Sequence, residues 1–153
     1  MNADDLKKRT KTFALRVIRL VEALPRTRIG EVIGKQLLKC GTSVGANYRA
    51  ACRAKSRADF LAKMRIVEEE ADESCYWMEL IVESNLMKHG YVAALEKEAG
   101  ELVAIVVASV KTVRSRPQGS RTTAPSLIPN RQSPIVNRQS SIVNRNEGHN
   151  GLE

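Results

Sequence analysis

Histidine is nearly missing from this chain of 153 residues, which contains only His89 and His149. Nucleophiles of the Ser-His and Cys-His types are therefore excluded, because no imidazole is placed to act as their base. Carboxylate di-metal sites of helical bundles are excluded too, since they need Glu-x-x-His pairs on facing helices. The acidic run at 68–73 is then a solvated or interface surface rather than a metal site. With no glycine-rich phosphate loop either, the sequence predicts no enzyme, no catalytic residue, no metal ligand and no cofactor.

Aromatic residues are also scarce, at 4% of the chain, so the core must be built from aliphatic side chains and methionine. This composition favours packed helices over a β-sandwich, and it gives little support for stacking of single-stranded bases. Cysteine is limited to Cys40, Cys52 and Cys75, which form no CxxC motif. We interpret them as small hydrophobic residues that are kept reduced.

Long hydrophobic runs are absent, and no stretch of 18 apolar residues is available to span a bilayer. The first residues, MNADDLKKRTK, lead into no hydrophobic signal-peptide core. We therefore expect no membrane association and a cytoplasmic location.

Apolar residues recur at helical spacing in the first half of the chain. One helical segment covers 5–24 and is ended by Pro25, and a second covers about 28–54. The predicted core stripes of these two segments are Leu6, Phe13, Val17, Leu20 and Leu24, then Ile29, Ile33, Leu37, Val44 and Tyr48.

Two further helical segments follow. Ser56 and Asp59 form a capping-box pattern that should begin the third helix, and Gly90 suits its C-terminal cap, so this helix should end near His89. The fourth covers about 91–115. Their predicted stripes are Phe60, Met64, Val67, Ala71, Cys75, Met78 and Val82, then Leu95, Ala99, Leu102, Val106 and Val110. Four long amphipathic helices with short connections predict an all-α fold, an antiparallel up-down four-helix bundle over 1–116.

The last part of the chain, 117–153, has a different composition. It contains no aromatic residue, and a seven-residue unit repeats as NRQSPIV at 130–136 and NRQSSIV at 137–143. Each unit has only one Ile-Val pair to bury, too little to offset the entropy lost on ordering. We predict a disordered, low-complexity C-terminal tail.

The stretch CGTSVGANYRAACRA at 40–54 is rich in small residues, including Gly41 and Gly45, yet has no proline. Each glycine inside a helix costs roughly 1 kcal/mol relative to alanine. Small side chains offset this cost when they let a neighbouring helix approach closely. We therefore predict that this stretch is the second half of the second helix, packed tightly on a partner.

Charge is unevenly distributed along the chain. Residues 1–65 contain 16 Lys and Arg against 5 Asp and Glu, whereas 66–110 contain 2 against 10. A basic surface attracts phosphate, but the two halves could equally neutralise each other within a bundle or between subunits. The residues predicted to bind nucleic acid are Arg16, Arg19, Arg49, Arg53, Lys55 and Arg57.

Several short elements along 24–84 resemble the four-helix bundle family named after 23S ribosomal RNA intervening-sequence proteins, and the resemblance extends over about 5–115. The matching residues are Gln36 and Leu37, then Ser43, Val44, Ala46 and Asn47, then Arg53, Ser56 and Phe60, and last the acidic run 69–73 with Trp77 and Leu80. Where many members have Glu-Gly after the asparagine element, this chain has Ala50 and Ala51.

The resemblance implies a homo-oligomer, a homopentamer in known members, and no known activity. It also implies two kinds of partner, because the family is associated with ribosomal RNA genes and distant relatives accompany reverse transcriptases. We therefore expect a non-enzymatic oligomer that presents a basic surface to RNA or DNA. The alternative is an adaptor that binds a protein, such as a reverse transcriptase, and has no nucleic-acid role of its own.

Overall fold

A computed structural model describes residues 2–115 of the chain. Four α-helices fill this range: α1 (Ala3–Glu22), α2 (Arg28–Ala51), α3 (Arg57–Glu83) and α4 (His89–Ser115), and residues 2–115 contain no strand. The predicted all-α four-helix bundle is confirmed. None of these helices combines the length and the apolar character that crossing a membrane requires. The tail and its repeat lie outside the described residues.

The helices are arranged around one core in chain order. Each helix packs on the next and α4 packs on α1, so α1 and α3 occupy opposite corners. Along the α1–α2 contact, Thr10 lies against Gly45 and Val17 against Gly41, which is the order of antiparallel neighbours. One end of the bundle therefore gathers the start of α1, the end of α2, the start of α3 and the end of α4.

Every residue of the predicted first and fourth stripes is buried, and the structure adds Ala3 and Thr10 on α1 and Val92 and Val113 on α4. On α2 the prediction is wrong at Ile29, whose surface is 61% exposed. Each step of four residues turns a helix by about 400°, so two steps back from Leu37 rotate Ile29 about 80° away from the core. On α3, Cys75 and Val82 are only half-buried, and Ile81 is fully buried.

The connection between α3 and α4 is longer than predicted. Helix α3 ends at Glu83, with Ser84 as its C-cap, and His89 begins α4 rather than ending α3. Asn85 adopts a left-handed conformation, with φ at 57°. Asparagine tolerates that conformation better than most residues, so it takes the place that the sequence suggested for Gly90.

The glycines of α2 are buried where α1 crosses them, as predicted, although α2 ends at Ala51 rather than near residue 54. A Cβ atom added at Gly41 would lie 2.7 Å from Cγ2 of Val17, inside van der Waals contact. At Gly45 the nearest atom would be the carbonyl oxygen of Thr10, at an ordinary 3.4 Å. Close helix packing is therefore confirmed, and its tightest point is at Gly41.

Candidate nucleic-acid interface

Four of the predicted nucleic-acid-binding residues lie together at one end of the bundle. Arg49, Arg53 and Lys55 are exposed where α2 ends and the chain turns into α3. Arg57, in the first turn of α3, is half-buried, and its Nη2 donates a hydrogen bond of 2.8 Å to the carbonyl oxygen of Arg114. That carbonyl lies in the last turn of α4, where no intrahelical donor remains, so Arg57 has a capping role in the fold.

The other two predicted residues lie elsewhere. Arg16 and Arg19 are on α1, near the level at which Val17 meets Gly41. Arg49 is eight residues beyond Gly41 on α2, or about 12 Å along the bundle axis, and Arg53 follows just past the end of α2. The structure therefore separates the six predicted residues into two groups on different parts of the surface.

We call the end formed by residues 2–9, 46–63 and 108–115 the cationic end. These segments contain ten Lys and Arg residues against three Asp residues. The cations are Lys7, Lys8, Arg9, Arg49, Arg53, Lys55, Arg57, Lys63, Lys111 and Arg114. The end of α2 and the end of α4, which are distant in sequence and lie on opposite corners of the bundle, both contribute positive charge here.

Two of these residues, Lys111 and Arg114, were missed as candidates by the sequence reasoning. The signal was available, because an up-down bundle places the end of the fourth helix at the same end of the bundle as the end of the second. A charge count over consecutive stretches of sequence does not reveal this grouping, because Lys111 and Arg114 follow a strongly acidic stretch.

Ion pairs occupy only a minority of the cationic end. Lys7 pairs with Asp4 at 3.0 Å, and Lys63 pairs with Asp59, whose pKa is lowered chiefly by that hydrogen bond. Arg9 also has carboxylate partners, described below. Within residues 2–115, six exposed cations of this end form no ion pair: Lys8, Arg49, Arg53, Lys55, Lys111 and Arg114. These six can meet an external anion without first breaking an internal pair.

Arg9 makes the one ion-paired contact between the basic and acidic halves that the described residues contain. Its Nε donates to Glu98 Oε1 at 2.6 Å and its Nη2 to Glu98 Oε2 at 3.0 Å, while Glu101 also accepts from Nη2. The hydrogen bonds that Arg9 donates to Glu98, and then to Glu101, raise its pKa. Within residues 2–115, the ion pairs that join the two halves therefore lie between α1 and α4.

Most of the acidic side chains of α3 are exposed on the corner of the bundle opposite α1. Five carboxylates project from the outer face of α3 around Tyr76, which is 53% exposed: Glu69, Asp72, Glu73, Glu79 and Glu83. Glu73 accepts a hydrogen bond of 2.9 Å from Nε1 of the half-buried Trp77. Trp77 is therefore neither a fully buried core residue nor a fully exposed anchor. We call this surface the acidic face of α3.

The remaining reactive side chains of residues 2–115 are potential metal ligands and three cysteines. No group of three His, Cys, Asp or Glu side chains within residues 2–115 is placed to hold a metal. Cys40, Cys52 and Cys75 are free thiols. Burial raises the pKa of Cys40, and burial together with the charge of Asp72 raises the pKa of Cys75 to about 11. At neutral pH both side chains are therefore thiols rather than nucleophilic thiolates.

Comparisons with known proteins agree with this architecture. The profile of the 23S rRNA-intervening sequence protein family matches residues 4–108. A crystal structure from Bacteroides thetaiotaomicron, described as a protein of unknown function from the S23 ribosomal protein family, is 32% identical. That match covers 72% of this chain and 99% of the other, with a TM-score of 0.68. No curated protein matches. The chain belongs to the 23S rRNA-intervening sequence protein family.

Proposed function

We propose that this protein is a non-enzymatic, homo-oligomeric bundle whose cationic end binds the phosphate backbone of RNA or DNA. One observation carries the proposal: ten cations and three carboxylates meet at that end, and six exposed cations there have no ion-pair partner within residues 2–115. Cations that are already exposed and unpaired can release counterions from a polyanion at little internal cost.

The expected contact is with backbone phosphates of a duplex. Single-strand binding would use aromatic side chains as stacking platforms. The exposed aromatic residues among those described, Tyr76 and Tyr91, lie on α3 and α4 away from the cationic end. Binding there should accordingly be electrostatic and largely independent of sequence.

Self-assembly would strengthen such a contact. Several cationic ends on one particle would bind a polyanion together, and each linked contact adds avidity. The resemblance to the family implies five subunits. A head-to-tail contact joins two different patches on each subunit, and the acidic face of α3 and the exposed lysines of α1 and α2 supply two patches of opposite charge.

The test is a salt series with labelled duplex RNA and duplex DNA of random sequence, followed by fluorescence anisotropy. The logarithm of affinity should fall linearly with the logarithm of salt, with a slope of about −0.9 per neutralised phosphate on duplex DNA. The triple variant Arg49→Gln, Arg53→Gln, Lys55→Gln should flatten this slope by up to about 0.9 for each phosphate that the variant no longer neutralises. Arg57 is left intact, because it caps α4.

A matched control removes three exposed cations from the other end of the bundle, with Arg26→Gln, Arg28→Gln and Lys35→Gln. This variant has the same net charge as the test variant and therefore serves as its control. If the cationic end is the binding surface, the control variant should keep most of the slope of log affinity against log salt. Equal loss in the two variants would indicate diffuse attraction, and no binding at low salt would contradict the proposal. The alternative function, a protein adaptor, would then be favoured by the apolar groove described next.

A further inference from the structure

The end of the bundle opposite the cationic end contains an open groove between α1 and α4, with a volume of about 620 Å³. Its floor is apolar, formed by Leu20 and Leu95 with the half-buried Leu86 and Met87 of the α3–α4 connection. Tyr91 lines its edge and is 75% exposed, the most exposed of the large hydrophobic side chains described. We call this feature the apolar groove.

Positive charge surrounds this floor. Arg16, Arg19 and Lys88 line the apolar groove, and no carboxylate does. Arg19 and Lys88 are exposed, and none of the three forms an ion pair within residues 2–115. The groove therefore combines an apolar surface that water solvates poorly with cations that lack internal partners, and both features favour an occupant that is apolar and anionic at once.

We propose that the apolar groove binds a short acidic segment of a partner protein. One or two large apolar side chains of the segment would lie on the floor formed by Leu20, Met87 and Leu95. Flanking carboxylates would accept hydrogen bonds from Arg16 and Arg19. The exposed ring of Tyr91 would pack over the bound segment, as aromatic residues at interface centres do. This goes beyond the proposed function, because it assigns a protein partner to the end that does not bind nucleic acid.

The floor argues against nucleic acid as the occupant. Phosphates gain nothing from leucine and methionine side chains, and the chain already offers a more cationic surface without such a floor. Placed at opposite ends, the two surfaces would let one bundle hold a nucleic acid and a protein together.

The length of the groove argues against the acidic face of α3 from a second copy. Along α1 and its C-cap the lining runs from Arg16 to Ala23, about 10 Å, and continues to Pro25. The carboxylates of the acidic face extend from Glu69 to Glu83, about 21 Å. A groove this short fits two or three turns of a bound helix at most, which is the size of a linear segment rather than of a bundle face.

The probe for the test is a labelled peptide in which leucine and phenylalanine alternate with pairs of glutamates, and its control has glutamine for every glutamate. Fluorescence polarisation should detect binding of the glutamate peptide to the full-length protein, and at least tenfold weaker binding of the glutamine peptide. The double variant Arg16→Gln, Arg19→Gln should weaken binding of the glutamate peptide about tenfold or more, because each hydrogen bond that it removes joins two charged groups.

Two further variants separate this inference from the proposed function. Tyr91→Ala changes an exposed side chain and should also weaken peptide binding, whereas Arg49→Gln with Arg53→Gln should leave it unchanged. Conversely, Arg16→Gln with Arg19→Gln should preserve the salt slope for duplex binding. Thermal melts of each variant confirm that it is folded.

Three results would overturn the inference. Equal binding of both peptides would remove the role of charge. Displacement of the peptide by duplex RNA would make the groove part of the nucleic-acid surface. A lower particle mass for the Arg16→Gln, Arg19→Gln variant would show that a second copy of the chain occupies the groove.

Discussion

Val17 lies so close to the backbone of α2 that Gly41 has no room for a side chain, since an added Cβ would approach Val17 to 2.7 Å. We predict that Gly41→Ala destabilises the bundle by about 1–3 kcal/mol, the usual cost of overpacking a dense core. Urea unfolding followed by circular dichroism gives the free energy directly.

Two other glycines serve as controls for this prediction. At Gly45 an added methyl group would meet ordinary contacts, and at Gly100, exposed on α4, it would meet nothing within 4 Å. Both replacements by alanine should be neutral or stabilising by up to about 1 kcal/mol, because alanine has the higher helix propensity. If alanine lowers the free energy of unfolding equally at Gly41, Gly45 and Gly100, neither helix propensity nor packing distinguishes the three positions. Gly45→Leu, with three more carbons in the same space, should again be destabilising.

Glu70 provides a pH-dependent prediction. Burial, and then the charge of Glu73, raise the pKa of its carboxyl group above the ordinary value of 4.5. A raised pKa means that the folded state holds the proton more tightly than the unfolded state, so ionisation of Glu70 opposes folding. This destabilisation is absent below pH 4.5 and is complete once the pH exceeds the raised value.

Glu70→Gln should therefore raise the melting temperature at pH 7, and the difference from wild type should shrink as the pH falls to 4. The exposed neighbour Glu69 offers the control, since Glu69→Gln removes the same charge without relieving burial. A stabilisation that persists at pH 4 would assign the effect to packing of the amide rather than to the buried charge.

Helices α1 and α4 are joined by one strong cluster of ion pairs. Arg9 joins Glu98 through two parallel hydrogen bonds, and Glu101 adds a third. The fork geometry of arginine matches a carboxylate in a way that lysine does not. This cluster lies at the contact that closes the four-helix arrangement.

A double-mutant cycle with Arg9→Gln and Glu98→Gln should measure a coupling of about 1 kcal/mol, at the upper end for partly exposed pairs. The i,i+3 pair of Lys7 and Asp4 is the control, because Asp4 is highly exposed and a single contact joins the two residues. Its coupling should be only a few tenths of a kcal/mol. Equal couplings would mean that the bidentate contact adds nothing to the closure of α1 on α4.

The helix boundaries show which helix ends can be predicted from local sequence. The cap at Ser56 was predicted, and its Oγ accepts from the N–H of Asp59 at 3.1 Å, although Asp59 itself accepts from the N–H of Lys55. The capping box of Asn2 and Asp5 was missed, because Asn was not weighed as a cap at the start of the chain. The end of α3 was misplaced because Gly90 was preferred over Asn85, yet both residues can follow a helix.

At the scale of the whole molecule, hydrophobic periodicity was enough to predict four helices and their order, because each helix buries one stripe against a single core. The candidate site was predicted only in part. Arg49, Arg53 and Lys55 are neighbours in sequence and remain so in space, whereas Arg16 and Arg19 lie on another surface. Lys111 and Arg114 joined the cationic end through chain connectivity, which a stretch-by-stretch charge count ignores.

The distribution of charge over the bundle leads to the last prediction, which concerns assembly. Arg9 pairs with Glu98 and Glu101 on α4, and none of the ion pairs found within residues 2–115 involves a carboxylate of the acidic face of α3. Carboxylates repeated along one helix face repel one another, and a neighbouring subunit that presents lysines would relieve this repulsion. The exposed Lys11, Lys35 and Lys39 on α1 and α2 offer such a surface.

Light scattering at micromolar concentration should therefore give a mass several times the 17.0 kDa of one chain, and this mass should fall as salt is raised. Glu79→Lys with Glu83→Lys reverses charge on the acidic face and should also lower the mass. Glu22→Lys with Glu31→Lys changes net charge equally on exposed residues of α1 and α2 and should preserve it. If the wild type is a monomer at every concentration, the chain does not self-assemble, and the cationic end would have to bind nucleic acid without avidity. If the particle contains several subunits but its mass does not change with Glu79→Lys and Glu83→Lys, the subunits associate through another surface. The next surface to test would be the exposed Ile29 and Val32 at the start of α2.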